Sequence, residues 1–282
     1  MRRTLAKGAL LASHPFPAFM NGATAVAIYA LLATDYAQGA ILFAAVTLSH
    51  ASIGTMNDCV DFERDMLSQG DKPLVRGYLS IRLAWCLTVA HGVLGAALAY
   101  QLGVASLLPF LAILLSGYAY NLAAKGTVWS WVPYAVFIPT IPVWAFLVAD
   151  HFRPAVALSY LVGAPISAAL NVANTIPDLA GDAAHELRGL AHVLGRRRGM
   201  MVVWGCLSAS LAIVVLFGAP LGGLDAEALM FAGAAVAVIA TVIAVEVLKV
   251  QNSARLTWYG AAVGSALIGL AWTAVLLDGR AL

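Results

Sequence analysis

The chain has 282 residues, of which 62% are hydrophobic and only 11% charged, against about 25% charged in soluble domains. That composition excludes a soluble globular protein of this length and implies one integral membrane domain over residues 1–282. The formal net charge of +2 is too small to suggest a nucleic-acid partner, and nothing resembles a haem attachment site or a nucleotide P-loop. Cys59, Cys86 and Cys206 are odd in number and lack C-x-x-C spacing, so neither a disulfide framework nor a zinc site is expected.

In chain order, M-R-R-T-L-A-K precedes an apolar run that reaches about Thr34. The run is long enough to span, so it reads as an uncleaved first helix. Nine segments of roughly spanning length follow from hydropathy: Phe16–Thr34, Gly39–Met56, Ile81–Tyr100, Val104–Tyr120, Trp129–Ala149, Ala155–Ile176, Met200–Phe217, Ala226–Leu248 and Leu256–Leu277. With the N-terminus inside, alternate loops place fourteen Lys and Arg residues in the cytoplasm and leave only Arg153 and Arg280 outside. The protein is therefore expected in the cell membrane. Arg196, Arg197 and Arg198 read as anchors at the inner-leaflet headgroups.

The second segment ends in N-D-C-V-D-F-E-R-D. Asn57, Asp61 and Asp65 stand four residues apart, with Asp58 beside them, and on a helix such residues share a face. The stripe is about 12 Å long at ~1.5 Å per residue. Three carboxylates there repel one another unless a cation sits on them. Oxygen ligands suit a hard ion such as Mg2+, whose shell is completed by water and substrate phosphates. The sixth segment ends in the same spacing, Asn174, Asp178 and Asp182. Two copies four helices apart suggest an internal repeat, and both fall on the cytoplasmic side of the charge count.

Basic residues follow each row: Lys72 and Arg76 after the first, Arg188 after the second, and Lys125 after the fourth segment. A metal-loaded acidic site ringed by cations suits a polyphosphate. Tyr118, Tyr120, Trp129, Trp131, Tyr134, Phe137 and Trp144 are candidates to line an adjoining cavity.

These motifs, N57-D58-x-x-D61-x-x-x-D65, K72-P73-L74-V75-R76-G77-x-x-S80 and D178-x-x-G181-D182 with R188-G-L-A-H-V-L-G195, resemble the UbiA superfamily of intramembrane prenyltransferases across essentially the whole chain. The resemblance implies an all-α bundle of about nine transmembrane helices with two Asp-rich motifs facing a central cavity. It implies a prenyl diphosphate bound through two Mg2+ ions, for which Mn2+ can substitute, and ionised to an allylic cation that is passed to an aromatic or other lipophilic acceptor. Asn57, Asp58, Asp61 and Asp65 then hold one ion, and Asn174, Asp178 and Asp182 the other. Asp61, Asp65, Asp178 and Asp182 become the catalytic carboxylates. Lys72, Arg76, Lys125 and Arg188 become diphosphate contacts, and Tyr120, Asn121 and His14 substrate contacts. In this chain Asn174 stands where the family often has Asp, Lys72 where Arg is usual, and Asn121 where Tyr is frequent. His14 stands about where many members have Arg, near the carboxylate of a benzoate acceptor.

Two other readings remain open from the sequence. A membrane terpene cyclase of the UbiA type would use the same site without an acceptor. A cation-coupled transporter would also carry intramembrane carboxylates, but its site belongs near the midplane rather than at helix ends beside basic residues.

Overall fold

A computed structural model describes residues 2–179 and 189–278. The expected Asp182 and Arg188 lie outside those residues, and so does the side chain of Asp178. The described chain is helical, with α1 (Arg2–Ala12), α2 (Pro15–Leu32), α3 (Tyr36–Val60), α4 (Phe62–Ser68), α5 (Ile81–Gln101), α6 (Leu107–Ala119), α7 (Val132–Val148), α8 (Ser159–Thr175), α9 (Leu190–Leu221), α10 (Ala226–Val247) and α11 (Ser253–Asp278).

Eight described segments are long and apolar enough to cross a membrane, so the protein is integral to one. The fifth expected span, Trp129–Ala149, is realised as the shorter α7 of 17 residues. Pro133 starts it, and Pro139 and Pro142 stand inside it, each removing a backbone donor. The expected fourth span runs from Val104 to Ala124, through a 3-10 turn, α6 and a π turn at Tyr120–Ala124. The expected first span, Phe16–Thr34, is realised as α2, and α1 precedes it as a separate helix. His14 adopts φ 48° and ψ 66°, which breaks α1 from α2.

The capping chemistry is local. Asp35 accepts from the backbone N–H groups of Ala37 and Gln38 at the start of α3. Ser80 accepts from Leu83 N–H at the start of α5, and Asp225 from Ala228 N–H at the start of α10. Each satisfies a donor that the first helical turn leaves unpaired. Small residues then bring helices together, as is usual where lipid supplies no hydrophobic driving force. A side chain at Gly117 would collide with Ile53, so glycine is what lets the end of α6 lie against α3.

α2, α3, α7, α8 and α11 surround a cavity of about 350 Å³, and the π turn closes one flank. α5 packs outside α3, α9 outside α8, and α10 outside α11. Helix alternation puts the end of α3, the π turn and the end of α8 on one face of the bundle.

Candidate active site

The first row does not lie on one uninterrupted helix. α3 ends at Val60 and α4 starts at Phe62, with Asp61 at the bend. The four-residue hydrogen bonds persist across it, Asp61 N–H to Asn57 O at 2.9 Å and Asp65 N–H to Asp61 O at 2.8 Å. The expected stripe is therefore kept. Asn57 and Asp61 line the cavity, while Asp58 and Asp65 are buried beside it.

Each carboxylate has a cation beside it, and Asp58 and Asp65 share Lys72. Asp58 Oδ1 accepts from Lys72 Nζ at 2.8 Å and from His14 Nε2 at 2.9 Å. Asp61 Oδ2 is paired with Lys125 Nζ and with Arg64 Nη2, the latter at 2.7 Å. Asp65 stands 3.8 Å from Lys72 Nζ. Asp58 Oδ2 and Asp65 Oδ1 are buried without a hydrogen-bond partner among the described residues. Burial raises the Asp65 pKa; Lys72 opposes the rise, and the Asp61 and Asp58 carboxylates add to it. Burial works against the Lys72 charge, yet Asp58, Asp65 and Asp61 outweigh it and raise its pKa. At Lys125 burial prevails over Asp61 and lowers the pKa.

The π turn sets the far wall. An extra residue in one helical turn re-aims the side chains that follow, and such bulges favour functional sites. Here it directs Asn121 onto α3 and Lys125 onto Asp61. Asn121 Nδ2 donates to Ile53 O at 2.9 Å, and its Oδ1 accepts from Asn57 Nδ2 at 3.0 Å. Asn57 Oδ1 is thereby left as the acceptor. Tyr120 meets Tyr134 with ring centroids 5.3 Å apart, and Tyr134 meets Phe137 at 4.7 Å. The Tyr134 hydroxyl also interacts with Asn174. Asn174 lies in the last turn of α8, before Pro177 converts the chain to a 3-10 turn over Ile176–Asp178.

The structure thus gathers His14, Asn57, Asp61, Lys72, Tyr120, Asn121, Lys125 and Asn174 around one cavity. Arg76 is not among its lining residues. It is exposed, with Nε 3.4 Å from Gly70 O and Nη1 3.5 Å from the Tyr78 hydroxyl. Of the aromatic candidates, Tyr120, Tyr134 and Phe137 line the cavity. Tyr118 is instead hydrogen-bonded to Ser52 at 2.7 Å, Trp129 is exposed, and Trp144 packs against Phe110. Sequence reasoning missed Arg64 and His50. Arg64 lines the cavity three residues after Asp61, a spacing that could have exposed it. His50 lines it seven residues before Asn57, on the same helical stripe.

A profile described as the UbiA prenyltransferase family matches residues 18–258. The chain belongs to the UbiA prenyltransferase family. Solved UbiA structures share its fold. A homologue from Aeropyrum pernix K1 superposes with a TM-score of 0.74 at 21% identity, covering 90% of this chain and 97% of that one. A homologue from Archaeoglobus fulgidus, bound to GPP and Mg2+, gives 0.75 at 17% identity, covering 96% and 99%. Among curated relatives, the digeranylgeranylglyceryl phosphate synthase of Thermococcus kodakarensis is 28% identical over 63% of this chain. The match spans 63% of that relative's length.

Among the described residues no three His, Cys, Asp or Glu side chains converge to enclose a metal ion. The first UbiA row instead offers Asn57 and Asp61 to the cavity, and beside them Asp58 and Asp65 each keep a buried carboxylate oxygen without a hydrogen-bond partner among the described residues. That donor set fits a hard divalent cation whose remaining ligands come from water and phosphate.

Proposed function

We propose that this UbiA protein is a divalent-cation-dependent intramembrane prenyltransferase, a single domain that takes a prenyl diphosphate and passes the prenyl group to a lipophilic acceptor. One observation carries the reading. A single cavity joins an acidic row, interleaved with Arg64, Lys72 and Lys125, to an apolar interior. A prenyl diphosphate has those same two ends.

Asn57, Asp58, Asp61 and Asp65 would hold one Mg2+, and Asn174 with Asp178 and Asp182 a second. When bound, the ions neutralise charge on the diphosphate as it leaves. Arg64, Lys72 and Lys125 bind the phosphate oxygens in the same cause, since each stands on a carboxylate that the ions would otherwise share. The bundle walls keep water from the allylic cation, and the faces of Tyr120, Tyr134 and Phe137 stabilise it electrostatically. His14 Nε2 is engaged by Asp58, which leaves a single ring nitrogen where an Arg fork would offer a benzoate carboxylate two donors. This favours a lipophilic alcohol, such as a prenylated glyceryl phosphate, over an aromatic acid. The charge count supports a cytoplasmic location for the rows, in the cell membrane.

The test is product mass spectrometry on the purified protein with prenyl diphosphates, Mg2+ or Mn2+, and a panel of lipid and aromatic acceptors. A prenylated acceptor is expected, and excess chelator should abolish it. Asp61→Ala should remove most turnover. A cyclised hydrocarbon formed without any acceptor would replace this reading with a terpene cyclase. No consumption of any prenyl diphosphate would end both.

A further inference from the structure

The hydroxyls that line the apolar part of the cavity are engaged. Thr24 Oγ1 donates to Met20 O at 2.8 Å, Ser265 Oγ to Ala261 O at 2.7 Å and Thr175 Oγ1 to Asn171 O at 3.0 Å. Ser159 Oγ accepts from the Trp272 indole at 3.0 Å. His50 differs. It is 8% exposed, and its Nε2 is buried without a hydrogen-bond partner among the described residues. Away from the acidic row it is the only such atom on a cavity-lining side chain among those residues.

The surroundings fix the tautomer. His50 Nδ1 lies 3.0 Å from Val46 O, and a carbonyl only accepts, so Nδ1 carries the ring proton. Ser49 Oγ sends its own hydrogen to Val46 O at 2.7 Å and can accept from Nδ1 at 3.3 Å. The neutral ring then holds Nε2 as a bare lone pair. His50, Ile53, Gly54, Asn57 and Asp61 form one cavity-lining stripe on α3. His50 stands seven residues before Asn57, about 10 Å along the helix at ~1.5 Å per residue. The aromatic run Tyr120, Tyr134 and Phe137 continues onto it, the imidazole and Phe137 centroids 5.6 Å apart and edge to face. The wall that would face the allylic cation thus ends at an unpaired lone pair.

We propose that His50 is the proton acceptor of the transfer step, its Nε2 taking the hydrogen bond, and then the proton, of the lipid acceptor's hydroxyl. The proposal rests on the prenyl-transfer reading of the site. The bond between the allylic carbon and the diphosphate oxygen breaks, and its electron pair leaves with the diphosphate. The hydroxyl oxygen forms the new bond to that carbon, and its proton passes to Nε2. The imidazolium, held at Nδ1 by Val46 O, gives the proton to water as the product leaves. Without a base the first product is a protonated ether, which reverts by losing the prenyl cation. Burial of Nε2 keeps the base from activating water beside the cation, and a catalytic hydrogen bond of this kind tightens only with substrate in place.

The experiment uses the purified full-length protein with saturating Mg2+, geranylgeranyl diphosphate, and geranylgeranylglyceryl phosphate as the hydroxyl acceptor. Diphosphate released and acceptor prenylated are measured in parallel, and in the wild type they should match. His50→Phe keeps a flat ring beside Phe137 but has no lone pair. Its acceptor prenylation should fall about 100-fold or more, while diphosphate release falls less and the prenyl alcohol formed with water makes up the difference. His50→Gln carries an amide oxygen that accepts a hydrogen bond without being a base. It should keep the wild-type KM for the acceptor with a kcat as low as that of His50→Phe. If His50→Phe does not fold, that split in His50→Gln decides. Wild-type prenylation by either variant would overturn the proposal. So would an equal loss of diphosphate release and prenylation, which would make His50 a packing residue. A wild type that prenylates no acceptor would overturn the transfer reading instead.

Discussion

At the scale of single residues, the acidic site is a set of charges that would be costly apart. Asp61 has two cations, Lys125 and Arg64, and removal of either leaves a buried carboxylate underpaired. The motif spacing singled out Asn57, Asp61, Lys72 and Lys125, which the fold gathers on one cavity, and Asp58 and Asp65, which it buries beside them. Arg64 was passed over as a topogenic charge at a helix end, although its i,i+3 spacing from Asp61 was there to be read. Arg76 was the converse. Its place in K72-P73-L74-V75-R76-G77 suggested a diphosphate contact, yet the turn that ends at Gly77 (φ 68°) leaves its guanidinium exposed beside Tyr78. The two arginines therefore make a direct comparison. Arg64→Ala should slow diphosphate release ten- to hundredfold, about 1.4–2.8 kcal/mol of transition-state stabilisation. Arg76→Ala should stay within about threefold, roughly 0.7 kcal/mol on the same scale. Initial rates at saturating prenyl diphosphate decide it. A slower Arg76→Ala than Arg64→Ala would bring the Gln69–Ser80 loop into the site.

At the scale of elements, hydropathy fixed which segments cross the membrane but not how they end. A break of one residue leaves no mark on a window of twenty. The bend at Asp61, the left-handed His14 and the π turn at Tyr120–Ala124 all fall below that resolution. All three serve the site. The His14 bend turns its imidazole onto Asp58 in the space beside Gly54, where a Cβ would come within 3.0 Å of His14. The π turn brings Asn121 to Asn57. Asn121 accepts from the Asn57 amide, so on the proposed metal site it would orient a ligand without being one. Partners of this kind are worth 10- to 100-fold in metal affinity. Asn121→Ala should raise the Mg2+ concentration for half-maximal activity about tenfold, while kcat at saturating Mg2+ falls far less. Asn121→Asp keeps the acceptor for Asn57 and should recover part of the loss. An Mg2+ titration of Asn121→Ala that overlays the wild type would return this residue to a purely packing role.

At the scale of the whole molecule, one arrangement has to satisfy lipid, charge and site together. If α7 crosses along with the eight candidate spans among the described residues, helix alternation puts Lys72, Lys125, Arg196 and Lys249 on the face that carries the first row. Arg196, read from the sequence as a headgroup anchor, also makes contacts within the bundle. Its Nη2 bonds Glu246 at 2.8 Å and Ser253 Oγ at 2.8 Å, tying α9 to α10 and α11 just after the break at Gly195. Moving this face across the membrane would carry more than a dozen cations with it, against two for the opposite face, and translocation of Lys and Arg near span ends is disfavoured. The acidic rows should therefore face the cytoplasm, where soluble prenyl diphosphates and Mg2+ would reach them. The check uses a cysteine-free background with Cys59, Cys86 and Cys206 replaced. His151→Cys, exposed in the loop after α7, should react with an impermeant maleimide on intact cells. Asp71→Cys, exposed in the loop after the first row, should react only once the cells are opened. The reverse pattern would place the row outside, and the diphosphate would then need a carrier to reach it.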